Sequence, residues 1–153
     1  MAIRQKSRKT TKSKEESFGL LACGASGAWQ VDVDETTSGR NRWWAQIEGP
    51  LSSFYFELPS LDVIGKMAMF LCKQSASAKH CTNGQSKRLE TLILSKDKKT
   101  PICLVRDDEF NDRFFLVVGP MDKSTVRFVI AGKDALHISE ALQQVQEDLE
   151  AVL

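Results

Sequence analysis

The sequence lacks the features that define several large classes of protein. It contains no apolar run of about 18 residues, so no membrane-spanning helix is predicted. The basic residues at the N-terminus are not followed by an apolar segment. A secretory signal is therefore not expected, and we expect a cytoplasmic location.

Patterns for catalysis and cofactor binding are also missing. There is no phosphate-binding glycine loop, no dinucleotide-binding glycine fingerprint and no metalloprotease helix. The two histidines, His80 and His137, lie in no recognisable nucleophile setting. The acidic stretches at residues 32–35 and 107–112 lack the spacing of a calcium-binding EF-hand, so solvated turn carboxylates are the simpler interpretation. The sequence predicts neither an enzyme nor a site for a cofactor or metal ion.

Cysteine usage gives no sign of a metal site or a redox pair. None of the four cysteines forms a C-x-x-C pair, and His80-Cys81 alone does not provide zinc-ligand spacing. Cys72 falls in a helical pattern and Cys103 in an alternating strand. Both are therefore expected to be reduced and buried, as small hydrophobic side chains are.

Positive charge is concentrated at the N-terminus. Residues 1–14 carry six basic side chains and no acidic one, which leaves 15 basic and 20 acidic groups in the rest of the chain. Residues 1–16 are poor in large hydrophobic side chains, so they predict a flexible basic arm. Such an arm, which includes Arg8 and Lys9, either binds phosphates through counterion release or serves only as a solubilising tail.

An internal repeat organises the remainder of the chain. The stretch Arg42-Trp43-Trp44 is followed by Gly49-Pro50, and about seventy residues later Arg113-Phe114-Phe115 is followed by Gly119-Pro120. The second segment is one residue shorter, which predicts a β-bulge in one copy. We expect two repeats, at residues 17–73 and 88–153, joined by a polar linker at residues 74–87 and forming one joint domain.

Hydrophobic periodicity predicts four strands and a helix in each repeat. Alternation from Trp29 to Asp34 and from Ser53 to Leu58 is typical of half-buried strands, and apolar steps of three and four residues after Ser60 indicate a helix. In the second repeat, Asp134 is expected to cap a helix whose apolar stripe could also meet a second chain. The expected strands lie at residues 18–25, 29–34, 42–48, 53–58, 88–95, 102–106, 113–118 and 125–130.

The paired aromatic residues are the first candidate site. Adjacent residues of a strand point to opposite faces, so one member of Trp43-Trp44 and of Phe114-Phe115 leaves the core face unless both faces are covered. An exposed ring on a sheet is suited to stacking with nucleic-acid bases. Covered faces, with both rings packed, remain the alternative.

The arginines near these rings are the second candidate site. Arg42 and Arg113 directly precede the aromatic pairs, and they could contact phosphates or stack on bases. Pairing with the neighbouring acidic stretches is the alternative. Three further arginines are expected on nearby strand surfaces: Arg40, Arg106 and Arg127.

The order of these features resembles the PUR repeat of Pur-alpha-like proteins and the related Whirly-type single-strand binders. Two segments carry the resemblance in the first repeat, Trp29 to Glu35 and Arg42 to Ile47, and two in the second, Ile102 to Arg106 and Arg113 to Val118. The resemblance implies an α+β fold of two ββββα repeats, with interlocked halves and four-stranded sheets crossed by helices. It also implies single-stranded DNA or RNA bound on the sheet surfaces.

We therefore expect sequence-tolerant binding of single-stranded nucleic acid. In this hypothesis bases stack on Trp43 or Trp44, Arg40, Arg42 and Arg113 contact the backbone, and the basic arm adds affinity. The rival hypothesis is a non-enzymatic interaction module that acts as a homodimer through an exposed aromatic surface or its last helix.

Overall fold

The chain folds into two antiparallel four-stranded sheets and two helices, which confirms the predicted α+β class with a ββββα order in each repeat. The computed structural model describes residues 18–36, 42–78, 90–107, 113–119 and 125–152. The first repeat contains β1 (Phe18–Ser26), β2 (Trp29–Thr36), β3 (Trp43–Glu48), β4 (Ser53–Leu58) and α1 (Asp62–Ala78). The second contains β5 (Glu90–Ser95), β6 (Ile102–Asp107), β7 (Arg113–Val118), β8 (Val126–Ala131) and α2 (Gly132–Val152).

Each sheet is a simple meander in which consecutive strands are neighbours. Side chains alternate between two faces, which we call the inner face, toward the core, and the outer face. Val31, Ala45 and Phe56 are buried on the inner face of the first sheet, while their neighbours point outward. The predicted turn after Ser26 is present, with Gly27 at a φ of 59° that favours glycine.

The two repeats share one core because elements of each contact the other. Phe70 of α1 lies edge-to-face on Phe114 of the second sheet, with ring centroids 6.1 Å apart. Phe128 of β8 stacks on Phe54 of β4 at 5.2 Å. The helices also touch, because the buried Ser139 hydroxyl of α2 donates a 2.7 Å hydrogen bond to the Ala68 carbonyl of α1.

Helix α2 also lies along β1, the edge strand of the first sheet. The Cys23 amide donates to Asp148 Oδ2 at 3.1 Å and the Ala25 amide to Gln144 Oε1 at 3.0 Å. Every second amide along a strand is about 6.8 Å from the last, and side chains four residues apart on a helix are about 6 Å apart. The spacing of the amide donors on β1 therefore matches the spacing of the acceptors on α2. Gly24 allows the approach, because a Cβ there would lie 2.2 Å from the Ala141 carbonyl oxygen. The helix thus satisfies an edge that would otherwise be open.

Three local predictions are wrong. The expected linker at 74–87 begins too early, because α1 continues through Ala78 and buries Ser75. Asp134 does not cap α2, since the helix begins at Gly132 and the aspartate lies in its first turn. Neither β3 nor β7 contains a bulge, and the register shifts lie between Leu20 and Ala22 and between Ile93 and Ser95.

The cysteines within the described ranges are free, and none is fully buried. Cys23 is exposed on β1, whereas Cys72 and Cys103 are half-buried, less than the pattern predicted. Partial burial raises the pKa of the Cys103 thiol, because the thiolate loses hydration. Neither helix in the described part of the chain is long and apolar enough to cross a bilayer.

Candidate functional site

The outer face of the first sheet carries a row of stacked side chains that we call the first cluster: Arg42, Trp44 and Tyr55. The Trp44 and Tyr55 rings stack with centroids 5.3 Å apart and planes 11° apart. The Arg42 guanidinium carbon lies 5.6 Å from the Trp44 ring centroid. Phe18, at the start of β1, meets the Trp44 ring edge-on at 6.3 Å.

The outer face of the second sheet carries the corresponding second cluster: Arg113, Phe115 and Arg127. Both guanidinium carbons lie 4.9 Å from the centroid of the Phe115 ring. Arg113 precedes Phe115 by two residues, and Arg127 pairs with Val117, two residues after it. The two guanidinium groups therefore approach the ring from opposite directions along the strand, at distances typical of cation–π contacts.

Register shows that the two clusters are equivalent. Tyr55 is opposite Gln46, two residues after Trp44, just as Arg127 is opposite Val117, two residues after Phe115. The repeat thus conserves an arginine and an aromatic ring, and it exchanges tyrosine for arginine at the third position.

An ion pair is present in each cluster, and its carboxylate comes from β4 in the first cluster and from β6 in the second. Arg42 forms a bidentate ion pair with Glu57 of β4, in which Nε donates to Oε2 at 3.0 Å and Nη2 donates to Oε1 at 3.2 Å. Arg113 Nε contacts Asp107 Oδ2 of β6 at 3.3 Å. The Arg113–Asp107 pair agrees with the alternative in which these arginines pair with the neighbouring acidic stretches. Arg42 pairs instead with Glu57, which lies outside the stretch at residues 32–35. Arg127 is exposed and forms no ion pair with any residue in the described ranges.

The remaining outer-face residues give the two sheets different charge. Next to the first cluster stand Asp32, Asp34 and Glu48, in addition to Glu57. The corresponding strands of the second sheet carry Cys103 and Val105 opposite Val117 and Phe115. Counting only residues that the structure describes, the first outer face has four carboxylates and one guanidinium, whereas the second has two guanidinium groups and one carboxylate.

The two members of each aromatic pair lie on opposite faces of their sheet. Trp43 shares the inner face with Ala45 and Ile47, is packed against the core, and donates its Nε1 to Glu35 at 3.2 Å. Phe114 is completely buried. Trp44 and Phe115 are the outer rings, so Trp43 is a poor candidate for base stacking.

Arg106 is buried, so it is not available for a role on the protein surface. It stands opposite Phe114 on the inner face and is only 3% exposed. Its Nη1 donates to the Gln74 carbonyl of α1, and its guanidinium carbon lies 5.6 Å from the Phe114 ring centroid. Arg106 therefore links α1 to the second sheet. Three other predicted site residues lie outside the described ranges: Arg8, Lys9 and Arg40.

A groove of about 660 Å³ runs beside β4, the other edge strand of the first sheet. Trp44, Tyr55 and Glu57 line one side, and Ile102 and Val118 of the second sheet line the other. The Trp44 Nε1 is buried and has no hydrogen-bond partner in the described part of the chain. The first cluster thus borders a cleft between the sheets.

Sequence patterns missed a polar cluster at the β1–β2 turn. Ser26 Oγ lies 3.0 Å from His137 Nδ1 and donates to Glu140 Oε1 at 2.6 Å. The serine proton is thus held by a carboxylate, which gives no nucleophile activation by histidine. These residues are 111 and 114 positions apart, so only the fold could bring them together. In the described ranges, no group of three or more His, Cys, Asp or Glu side chains could hold a metal ion.

Comparison of the chain with protein-family models, curated proteins and solved structures gives no match. Any functional inference must therefore begin from the geometry of the two outer faces.

Proposed function

We propose that the protein binds single-stranded nucleic acid without catalysis, and that the second cluster is the principal contact surface. The observation that carries the proposal is Arg127, an exposed guanidinium stacked on Phe115 without a carboxylate partner in the described residues. A guanidinium in this state can donate hydrogen bonds to phosphate and can stack on a base.

The surroundings of Arg127 support this choice of face. Lys96, Lys98 and Lys99 are exposed in the turn between β5 and β6. Register places this turn at the same end of the sheet as Arg127, because Ile102 and Val126 both pair with Val118. A polyanion could follow a path from these lysines across Arg127 and Phe115 to Arg113. The four carboxylates of the first sheet oppose such binding.

The first cluster has a secondary role in this proposal. Trp44 and Tyr55 form an aromatic stack, and Tyr55 is 39% exposed, so a base could stack on it. Arg42 is engaged with Glu57 and contributes less charge. The resemblance to PUR repeats implies the same class of ligand on sheet surfaces. Contacts from Arg8, Lys9 and Arg40 stay predictions.

Fluorescence anisotropy with a labelled single-stranded oligonucleotide tests the proposal. We expect Arg127→Gln to weaken binding about tenfold, the effect of losing one hydrogen bond to a charged group. It should also lower the slope of log K against log salt by about 0.7. Arg42→Gln is the matched control, because it removes an arginine whose charge is already paired, and it should change affinity less than about twofold.

Two outcomes contradict this assignment. If the wild-type protein shows no salt-sensitive binding to single strands, the nucleic-acid function is wrong. If Arg42→Gln weakens binding as much as Arg127→Gln does, the ligand does not prefer the second sheet.

A second function has its own supporting observation. The outer face of the second sheet exposes apolar side chains, with Ile93 at 55% and Val129 at 50%. Apolar residues gathered on one face are typical of protein interfaces, so a homodimer through this face is the alternative. Sedimentation equilibrium distinguishes the two, because an apolar dimer persists in high salt and should dissociate on Val129→Ser.

A further inference from the structure

The aromatic ring on the outer face of the second sheet is already covered on both sides. Phe115 is the sole aromatic residue among the outward positions that the structure describes in β5 to β8. Arg113 and Arg127 each place a guanidinium carbon over this ring, 4.9 Å from its centroid, and they approach from opposite directions along the strand. A base that stacks on a ring needs one open face of it. Phe115 offers no such face, so it is not a platform for bases.

The ring instead holds two like charges close together. Guanidinium groups repel each other, whereas the face of an aromatic ring attracts a cation. Arg113 Nε also contacts Asp107 Oδ2 at 3.3 Å, so part of its charge is neutralised. Arg127 is exposed and forms no ion pair within the described ranges. The ring therefore fixes an unpaired guanidinium beside a partly paired one, and a short stretch of polyanion can contact both.

The surroundings of this pair suit phosphate groups better than bases. Three exposed lysines of the β5–β6 turn lie at the same end of the sheet as Arg127: Lys96, Lys98 and Lys99. The turn carries one carboxylate, Asp97, among them. Val105 and Val129, which pair with Phe115 on either side, offer no hydrogen-bonding side chain to the edge of a base. Cations without neighbouring open rings are typical of contacts to the nucleic-acid backbone.

We propose that the second sheet recognises the phosphodiester backbone of its ligand and not the bases, and that Phe115 is a positioning residue that holds Arg113 and Arg127 as a two-point phosphate contact. The inference rests on the proposed nucleic-acid binding and names the part of the strand that this face contacts. Phosphates are alike at every step of a strand, so this face gives no sequence preference. Any contribution from bases then comes from the first cluster, in which Tyr55 is exposed.

Anisotropy titrations with two labelled strands of equal length test the inference on the full chain. One strand carries thymine at every position, and the other is abasic, so it keeps every phosphodiester and has no base. Arg127→Gln should weaken the binding of both strands by the same factor, about tenfold. Phe115→Leu keeps an apolar side chain but removes the aromatic faces. It should weaken both strands equally, by about two- to fivefold, the effect of losing an exposed cation–π contact.

Two further variants serve as controls. Phe115→Tyr retains the ring, so it should bind both strands within about twofold of the wild-type affinity. Tyr55→Leu is the matched change on the first sheet. It removes an exposed ring on which a base could stack, so it should weaken the thymine strand by about fivefold or more and leave the abasic strand unchanged.

Three results overturn the inference while the proposed function stands. If Phe115→Leu or Arg127→Gln weakens the thymine strand at least about fivefold more than the abasic strand, bases contact this face. If Phe115→Leu leaves both affinities unchanged, the ring does not position the arginines. If the wild-type protein binds the thymine strand but not the abasic strand, backbone recognition is wrong. A wild-type protein that binds neither strand in a salt-sensitive way is a different result, because it removes the proposed function itself and this inference with it.

Discussion

The first and second clusters occupy equivalent positions on two sheets, yet they present different chemistry. Both contain an arginine two residues before an outward aromatic ring. In the first cluster the third member is Tyr55, and in the second it is Arg127. The strand next to the ring carries Asp34 in one sheet and Val105 in the other. Register thus fixes where the side chains stand, while exchanges of side chains, these two among them, change the charge of the face.

The largest expected effect is the difference in stability between removing the inner and removing the outer aromatic ring of the second repeat. Phe114→Ala removes a fully buried ring that contacts Phe70, and it should lower the free energy of unfolding by about 3–5 kcal/mol. Phe115→Ala, on the half-exposed outer ring, should lower the free energy of unfolding by about 1 kcal/mol. Urea denaturation measures both. Equal losses would contradict the assignment of the two faces.

A smaller effect should show that the first sheet depends on α2 at its β1 edge. In Gly24→Ala the new methyl group would lie 2.2 Å from the backbone oxygen of Ala141, which cannot rotate away. We expect a loss of about 1–3 kcal/mol in the free energy of unfolding, typical of overpacking. Amides of Cys23 and Ala25 should exchange faster with deuterium. Ala25→Ser, at an exposed position next to it, is the control and should change stability by less than about 0.5 kcal/mol.

Exchanging Tyr55 and Arg127, the third members of the two clusters, tests whether the residue at this position determines the affinity for single strands. Arg127→Tyr makes the second cluster resemble the first and should weaken single-strand binding about tenfold, equivalent to about 1.4 kcal/mol. The reverse change, Tyr55→Arg, adds a cation among four carboxylates, so it should restore little of that affinity. Anisotropy titrations of both single variants and the double variant measure this. Full recovery in the double variant would show that the acidic surroundings do not matter.

The smallest effect concerns the two ion pairs. Arg42→Gln and Arg113→Gln should each lower the free energy of unfolding by about 0.2–1 kcal/mol, because both arginines are one-third exposed. The difference from wild type should shrink in 0.5 M salt. Chemical denaturation at two salt concentrations gives both values. If one of these changes lowers the free energy of unfolding by more than about 2 kcal/mol, and by the same amount at both salt concentrations, that ion pair has a structural role.

Most of the architecture was predictable because it is local. Alternation in β2, β4, β6 and β8 is visible in the sequence, and the repeated arginine and aromatic pair marked β3 and β7. The same alternation also predicts that Arg106 lies on the inner face, because Ile102 and Leu104 precede it at steps of two residues. The residue type suggested a surface position instead, but its carbonyl partner on α1 makes burial acceptable.

What could not be predicted depends on contacts between distant parts of the chain. Small polar residues after Gln74 suggested a linker, but α1 continues to Ala78 and Ser75 is buried by the fold. Helix propensity is a weak indicator when tertiary packing intervenes. Likewise, nothing near Gly24 signals that Asp148, 125 residues from Cys23, supplies an acceptor for the β1 edge.

The position of α2 also has a consequence for synthesis on the ribosome. The helix that binds the β1 edge is made after all eight strands of the two sheets. At about 5–20 residues per second, the roughly one hundred residues between β2 and α2 take about 5–20 s to translate. During that time the emerging first repeat has an unpaired strand edge and lacks the helix that covers it. The β1 edge of the nascent chain therefore stays open to pairing with another strand until α2 leaves the exit tunnel.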